Sequence, residues 1–475
     1  MSMKTVFITI FQGAEAKNIL RTDIYKNLIA RDDVRIVFFV DSLERAEYYK
    51  KEFSHPRVFY EAIENTNPRG LDAFFSSLSF TLLRTATTDL RRKMNLEDNR
   101  NHLGYYWHLL LNRVLARRWV RKLVRALDYL LVSNHRFASY FEKYKPDVVF
   151  LAHLFDGQEI HLLREAKHRG VRSIGFINSW DKLTARRALR LLPDSLVVFN
   201  EIVKEEAMRY ADIKEKNIFV SGIPNYDWHV NYKPVSRGEF CQKNKLDSAK
   251  KLIVYAPMGK AFSNSDWDII DLLHRSIENG EITAHPVRSR PPLGGRSHSP
   301  EARATSNGTQ LFVRFQPNDF IENEELEKRP WLRYAMPGVR FSRARGVNWD
   351  MSFDDIKGLT DTLANADLFI CYASSISVDA AVFDKPVINI DFEIKGGPLS
   401  KSPTFFYKTE HYKKVVKSGA IQYPKSKEDF LLWINKYLAN PAIDREARKK
   451  LVSDQCWKLD GKSGSRIAGH ILSFD

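Results

Sequence analysis

The sequence predicts an α/β protein made of two facing, doubly wound parallel-sheet domains. Three observations carry that expectation. Short apolar strand candidates alternate with helical stretches through both halves of the chain. At 475 residues the chain is too long for a single core. The block 367–392 reads as a buried strand, a small-hydroxyl turn (Ser374, Ser375, Ser377), a short helix and a second buried strand. Such a block belongs in an open parallel sheet, whose ligands sit beyond the carboxyl ends of the strands.

Taken in order, strands are expected at residues 6–11, 34–40 and 58–61, with helical stretches at 14–30 and 43–53 between them. A largely helical insertion follows, at about 71–144. Strands resume at 148–152, 173–177, 196–199 and 217–220. The segment Ser221-Gly-Ile-Pro-Asn-Tyr-Asp227 ends this first domain, which spans 1–228, and a polar stretch at 229–250 reads as a linker. A second domain, 251–475, has strands at 252–257, 311–314, 339–341, 368–372 and 387–390. Within it, residues 285–309 hold four arginines, four prolines and four serines with little apolar content, which predicts a disordered surface insertion.

Composition is ordinary for a globular chain: 44% hydrophobic, 12% aromatic and 28% charged. No apolar run approaches the ~20 residues that span a bilayer. The first residues read as a strand and not as a signal peptide. Cys241, Cys371 and Cys456 form no metal or redox spacing and fit a reducing compartment, so a cytoplasmic location is expected, peripheral on the inner face of the membrane if the basic surface meets lipid. The formal charge of +16 is compatible with nucleic acid, anionic lipid or phosphorylated small molecules. No nucleic-acid signature accompanies it, so no nucleic-acid partner is expected.

The densest basic segment is 106–131, where Arg113, Arg117, Arg121 and Arg125 recur every four residues beside Arg118 and Lys122. Leu109, Leu110, Val114, Leu115, Trp119, Val120, Leu123, Val124 and Leu127 supply its apolar side. Two readings stay open: a helix lying on an anionic membrane surface, or a core helix with a solvated arginine face.

Four strand-end segments converge on the inferred cleft between the domains. The serine turn offers hydroxyls and a helix start to an anion, with Asp379 close behind. Arg314 and Gln316 follow a strand; a guanidinium suits a bidentate grip on phosphate, and the amide can bond a base, sugar or phosphate. Lys260 ends the turn Tyr255-Ala-Pro-Met-Gly-Lys260 as a third cationic candidate. In the first domain, Asp181 in Ile177-Asn-Ser-Trp-Asp-Lys-Leu-Thr184 can take a proton from an attacking hydroxyl, or can simply cap the following helix. Trp180, His153, Asp156 and Gly13 complete the acceptor side, Gly13 by leaving room for an acceptor to approach. Walker, nucleophile-elbow, zincin and dinucleotide fingerprints are absent, as is a D-x-D pair after a strand. The expectation is therefore no cofactor and no metal, with side-chain cations and a helix terminus neutralising a leaving phosphate.

Tyr255-Ala-Pro257, Val313-Arg-Phe-Gln-Pro317 and Ser374-Ser-Ile-Ser-Val-Asp379 with Lys385-Pro-Val-Ile388 resemble the donor domain of CDP-glycerol glycerophosphotransferases (teichoic-acid polymerases). They are also similar to related bacterial surface-polysaccharide glycosyltransferases of GT-B fold, which pair two Rossmann-like domains. The segment 221–227 resembles the one that closes the first domain in those enzymes and in UDP-N-acetylglucosamine 2-epimerases. The similarity covers about residues 145–395 in scattered short motifs.

Two departures stand out. Where the glycerophosphotransferases carry Trp-His-Gly-Thr, here Trp180 is followed by Asp181; where they have a histidine before proline, here stands Gln316. The resemblance thus implies a nucleotide-sugar transferase with an acidic base at Asp181 and donor-phosphate contacts at Ser374 and Ser375, flanked by Arg314 and Gln316. It implies transfer to a glycan or lipid-linked acceptor in lipopolysaccharide or capsule synthesis. Inversion is expected, because one base in line with a leaving phosphate suffices for it. Glycerophosphotransferase and sugar-nucleotide epimerase are the enzymatic alternatives, and a basic membrane- or nucleic-acid-binding protein is the non-enzymatic one.

Overall fold

The computed structural model describes residues 3–64, 66–283, 308–341 and 348–473. The first domain holds strands β1 (Lys4–Ile10), β2 (Val34–Val40), β3 (Val58–Ala62), β4 (Val148–Leu151), β5 (Arg172–Phe176), β6 (Ser195–Val198) and β7 (Ile218–Val220). They form one parallel sheet in the order β3-β2-β1-β4-β5-β6-β7. Alternate strand residues feed separate layers. Phe7, Val37, Phe39, Val149 and Leu151 pack on one face. Val6, Ile8, Ile36, Phe38, Val148 and Phe150 pack on the other. A parallel sheet covered on both faces needs strands that are apolar throughout, which is why they were legible as runs.

The second domain holds β8 (Lys251–Ala256), β9 (Thr309–Arg314), β10 (Tyr334–Ala335), β11 (Val339–Arg340), β12 (Trp349–Asp350), β13 (Leu368–Cys371) and β14 (Val387–Asn389). Five of these make a parallel sheet, ordered β10-β9-β8-β13-β14, while β11 and β12 form a small antiparallel ribbon of their own. The strand expected at 339–341 is therefore outside the main sheet. Of the insertion expected at 285–309, residues 285–307 lie outside the described part of the chain.

Several boundaries differ from expectation for physical reasons. The helix expected at 14–30 is two helices, Gly13–Ile19 and Asp23–Ile29, because Thr22 turns the chain and its hydroxyl accepts from the Ile24 N–H. The polar stretch expected as a linker contains the helix Arg237–Asn244, which plants Phe240 and Cys241 in the second domain's core. The chain's last helix, Ser463–Leu472, leaves the second domain altogether. Its Ile467, Ala468 and Ile471 complete a core layer of the first domain, against the helix Asp23–Ile29.

The basic segment 106–131 is also two helices, His102–Leu115 and Arg118–Leu131. In the second of these the expected solvated arginine face points inward. Arg121 donates to both Asp212 carboxylate oxygens at 2.8 and 2.7 Å, and Arg125 donates to Asp212 at 2.8 Å and to the Leu189 carbonyl at 2.9 Å. Asp128 on the same side binds Arg164 at 2.6 Å and Arg190 at 2.7 Å. Buried guanidiniums are tolerated here because every one meets a carboxylate or carbonyl.

The segment that closes the first domain is fastened to it: Asp227 accepts from the backbone N–H groups of Ser463 and Gly464 at 3.0 and 2.7 Å, and the Trp228 indole donates to the Arg21 carbonyl at 2.7 Å. Contacts between the domains are close. Fully buried Arg21 of the first domain pairs with fully buried Asp350 of the ribbon at 3.1 Å. A β-carbon on Gly13 would stand 2.1 Å from the Trp349 carbonyl oxygen. Gly13 therefore lets the ribbon approach the first helix, and does not open space for an acceptor.

Gly13→Ala should lower stability by ~1–3 kcal/mol, the range for overpacking a tight contact. Urea denaturation followed by tryptophan fluorescence would measure it, and an unchanged midpoint would contradict the assigned contact.

Candidate active site

A cavity of about 500 Å³ lies between the two sheets. Its walls come from segments that follow β1, β5, β6 and β7 in the first domain and β8, β9 and β13 in the second. Both sheets thus turn their carboxyl edges toward one space, and the strand order reverses at β1/β4 and at β8/β13. Parallel strands leave their loops in a crevice at that point, which is where sequence reasoning put the site.

Six of the expected residues line it: Trp180, Arg314, Gln316, Ser374, Ser375 and Asp379. Their details refine the expected roles. Ser374 and Ser375 precede the helix Ile376–Val382, and neither hydroxyl is consumed by a strong cap. Gln316 donates its amide N–H to the carbonyls of Pro257 (2.9 Å) and Met258, tying β9 to β8 and leaving Oε1 for the cavity. Arg314 is buried, and its N–H groups serve the Asp355 and Gly358 carbonyls at 3.1 and 3.3 Å and the Thr362 hydroxyl at 3.4 Å. Burial holds its pKa down at about 10. It braces the helix Phe353–Asn365 and contributes charge to the cavity wall, without the free bidentate fork expected of it.

The other candidates stand elsewhere. Asp181 is just behind the wall formed by Asn178, Ser179 and Trp180; its carboxylate accepts from the Ser179 hydroxyl at 2.5 Å and does not cap the following helix. Burial works against its charge, but His411, Lys182 and Ser179 keep the carboxyl below its ordinary value. Lys260 points away and pairs with Glu322 at 2.6 Å on the surface. Ser377 is fully buried and bonds the Tyr412 hydroxyl at 3.1 Å and Asn389, holding the turn from behind. His153 meets Lys182 at 2.5 Å inside the first domain, and Asp156 caps the helix Gly157–His168 by accepting from the Gln158 N–H at 2.8 Å. Neither reaches the cavity.

Sequence reasoning missed several lining residues. Lys17 and Asn18, from the first helix, project into the cavity with Asn178, Ser179, Asn225 and Tyr226. Burial lowers the Lys17 pKa, while Asp379 across the cavity draws it back up. Asn178 is 6% exposed, and neither its amide nitrogen nor its oxygen has a hydrogen-bond partner among the described residues. The side-chain oxygen of Asn18 is likewise unpartnered. Buried amides are ordinarily satisfied, so these two await a ligand or water. Asp379 accepts from His229 Nε2 at 2.9 Å, and His229 Nδ1 reaches the Thr360 hydroxyl at 3.3 Å. The Asp379–His229 pair joins the serine helix to the segment after β7.

Beneath the first-domain wall lies a buried polar cluster. Glu159 receives the Thr9 hydroxyl and the backbone N–H groups of His153 and Leu154, and Glu15 receives the Phe11 N–H at 2.6 Å. Burial raises the Glu159 pKa to about 7; the Thr9 hydroxyl opposes this and the Asp156 charge adds to it. The carboxyl is therefore protonated more readily folded than unfolded. Its contribution is fully present below the unfolded value and is lost as pH rises to about 7. Glu159→Gln should flatten the fall in melting temperature between the ordinary carboxyl range and about pH 7, with Glu15 keeping a residual slope in the same direction. Thermal melts across that range test it; an identical slope in the variant would refute the assignment.

No family model matches the chain, and no curated protein matches it in sequence. Solved structures do. It is similar to a putative UDP-N-acetylglucosamine 2-epimerase from Listeria monocytogenes, with a TM-score of 0.51 and 11% identity, over 100% of this chain and 98% of that one. A glycosyltransferase from Rickettsia africae matches with a TM-score of 0.47 and 11% identity over 100% of both chains. The wall teichoic acid polymerase TagF matches with a TM-score of 0.49 and 12% identity, over 99% of this chain and 88% of the other. At such identities the shared property is architecture: the chain has the GT-B fold, two parallel-sheet domains facing one another across a cleft.

Proposed function

We propose that the chain is a GT-B glycosyltransferase that moves a sugar from a nucleotide-activated donor to a hydroxyl of a bacterial surface glycan or its lipid-linked precursor. The observation that carries this reading is the cavity itself. It is bounded by the carboxyl edges of both sheets and holds two cations, Lys17 and Arg314, with the buried Asn178 amide and the side-chain oxygen of Asn18 unpartnered among the described residues. Such a lining suits a ligand with one anionic part and several hydroxyl or amide groups, as a nucleoside diphosphate sugar has.

In this reading the diphosphate rests on the Ser374 and Ser375 hydroxyls and the positive charge of Lys17 and Arg314, without a metal or cofactor. Gln316 Oε1 accepts from the donor's sugar or base. The acceptor oxygen attacks the anomeric carbon from the first-domain side, the bond to the phosphate oxygen breaks, and the nucleoside diphosphate leaves with the electron pair. Inversion follows from a single displacement. The acceptor's proton passes through the Ser179 hydroxyl to Asp181, whose depressed pKa keeps it ionised and ready to accept.

The first test is a thermal-shift screen with UDP, CDP, GDP, dTDP and CMP. A ligand at 100 times its Kd stabilises by about 2.7 kcal/mol. With the nucleotide known, Asp181→Asn should lower turnover by ~10²–10⁴-fold, the usual worth of a general base, while keeping the nucleotide shift. Ser375→Ala and Lys17→Ala should instead shrink that shift. Wild-type turnover in Asp181→Asn would sink the base assignment, and no shift with any nucleotide would sink the donor site. A second reading, rearrangement of a sugar nucleotide without an acceptor, is favoured by the Asp379–His229 pair, an acid–base couple at the cavity wall. Product formed from donor alone would decide for it.

A further inference from the structure

The two helices of the basic segment are amphipathic in an inverted sense. In His102–Leu115, Leu103, Tyr106, Trp107, Leu110 and Val114 are all exposed, with Leu103 at 87%. Their spacing puts them in one stripe about 100° wide. Opposite that stripe is Asn112, fully buried, whose amide donates to the Thr81 and Leu83 carbonyls at 2.5 and 2.9 Å. In Arg118–Leu131 the exposed side carries Trp119 at 68%, Leu123, Leu127 and Leu130 at 75%. Its inward side is Arg121, Arg125 and Asp128, fixed by the ion pairs described above. A water-soluble surface helix is built the other way round, with charge outside and apolar groups inside.

Charge around these stripes is one-sided. Residues 100–127 contain seven arginines and lysines and no aspartate or glutamate. Arg121 and Arg125 are turned inward and paired with Asp212, while Arg113, Arg117 and Lys122 remain exposed beside the apolar residues. We infer that this helical pair seats in the interface of an anionic bilayer, with Trp107, Trp119 and Leu123 among the acyl-chain tops and Arg113, Arg117 and Lys122 on lipid phosphates. A lipid surface matches both parts of the pattern: apolar depth at the stripe and negative charge at its rim. A second copy of the chain matches only the first, because a symmetric contact would bring the same uncompensated cations face to face. No helix among the described residues is long and apolar enough to cross a membrane, so the attachment lies in the plane of the surface. The inference goes beyond the transfer reading and stands without it.

The test is co-sedimentation of the full chain with phosphatidylcholine vesicles and with vesicles that also contain phosphatidylglycerol. The parent chain should bind the anionic vesicles, and brominated lipids should quench its tryptophan fluorescence. Trp107→Gln/Trp119→Gln/Leu123→Gln alters only exposed side chains and should keep the far-UV dichroism of the parent while losing at least ~10-fold in vesicle affinity. Arg113→Gln/Arg117→Gln/Lys122→Gln should lose preference for the anionic lipid and most of the salt dependence. Three results would overturn the inference: no binding to anionic vesicles, equal binding by the apolar variant, or a dimer of the parent that the apolar variant converts to monomer with vesicle binding unchanged.

Discussion

Two parallel sheets, each covered on both faces, constrain everything else in this molecule. Their strands are consumed by packing: Phe7 and Val37 go to one layer and Ile8 and Ile36 to the other, leaving no strand face for polar chemistry. Functional groups are pushed to the strand ends, and the two domains meet so that the carboxyl ends share one crevice. Each domain supplies a different chemistry there. The second brings hydroxyls on a helix start and a carboxylate; the first brings an ammonium, the Asn178 amide and the Asn18 side-chain oxygen. A site divided in this way is complete only when both walls are present, which makes the Arg21–Asp350 pair and the close approach at Gly13 as important as the lining itself.

The helical insertion obeys a different rule. Its inward side is held by arginine–carboxylate pairs and not by an apolar seam alone, and Asp212 and Asp128 each gather at least two guanidiniums. Removing one of these carboxylates would leave buried positive charge uncompensated, whereas removing an outward leucine would leave the fold nearly untouched. Stability and surface chemistry are thereby separated onto opposite sides of the same helices.

Much of this was legible in the sequence. Strands 34–40 and 148–152 stand out because a doubly covered parallel strand is apolar at nearly every position, and the structure puts β2 at Val34–Val40 and β4 at Val148–Leu151. The serine turn was legible because strand, small hydroxyls and helix follow one another locally. Long-range pairings were not. Asp379 looks like a turn residue until His229, 150 positions away, closes on it. Lys17 resembles any lysine on an amphipathic helix, and only the facing domain makes it part of a cavity wall. Periodicity gave the angular width of the arginine stripe but not its direction. Asp212, 91 residues from Arg121, sets that direction, and no local pattern encodes it. Asp181 was found as a residue after a strand, yet its rotation behind Ser179 depends on side-chain packing that spacing does not report.

The last helix adds a consequence of another kind. Ile467, Ala468 and Ile471 fill a layer that also contains Val6, Ile24 and Phe38, so the first domain cannot close its core until Ile471 has been synthesised. The second domain, built from a continuous middle segment, is able to fold while the ribosome is still working. The order of assembly on the ribosome is then the reverse of the order of the sequence. The earlier half waits, with its sheet layer open, for a ten-residue piece that follows the whole second domain.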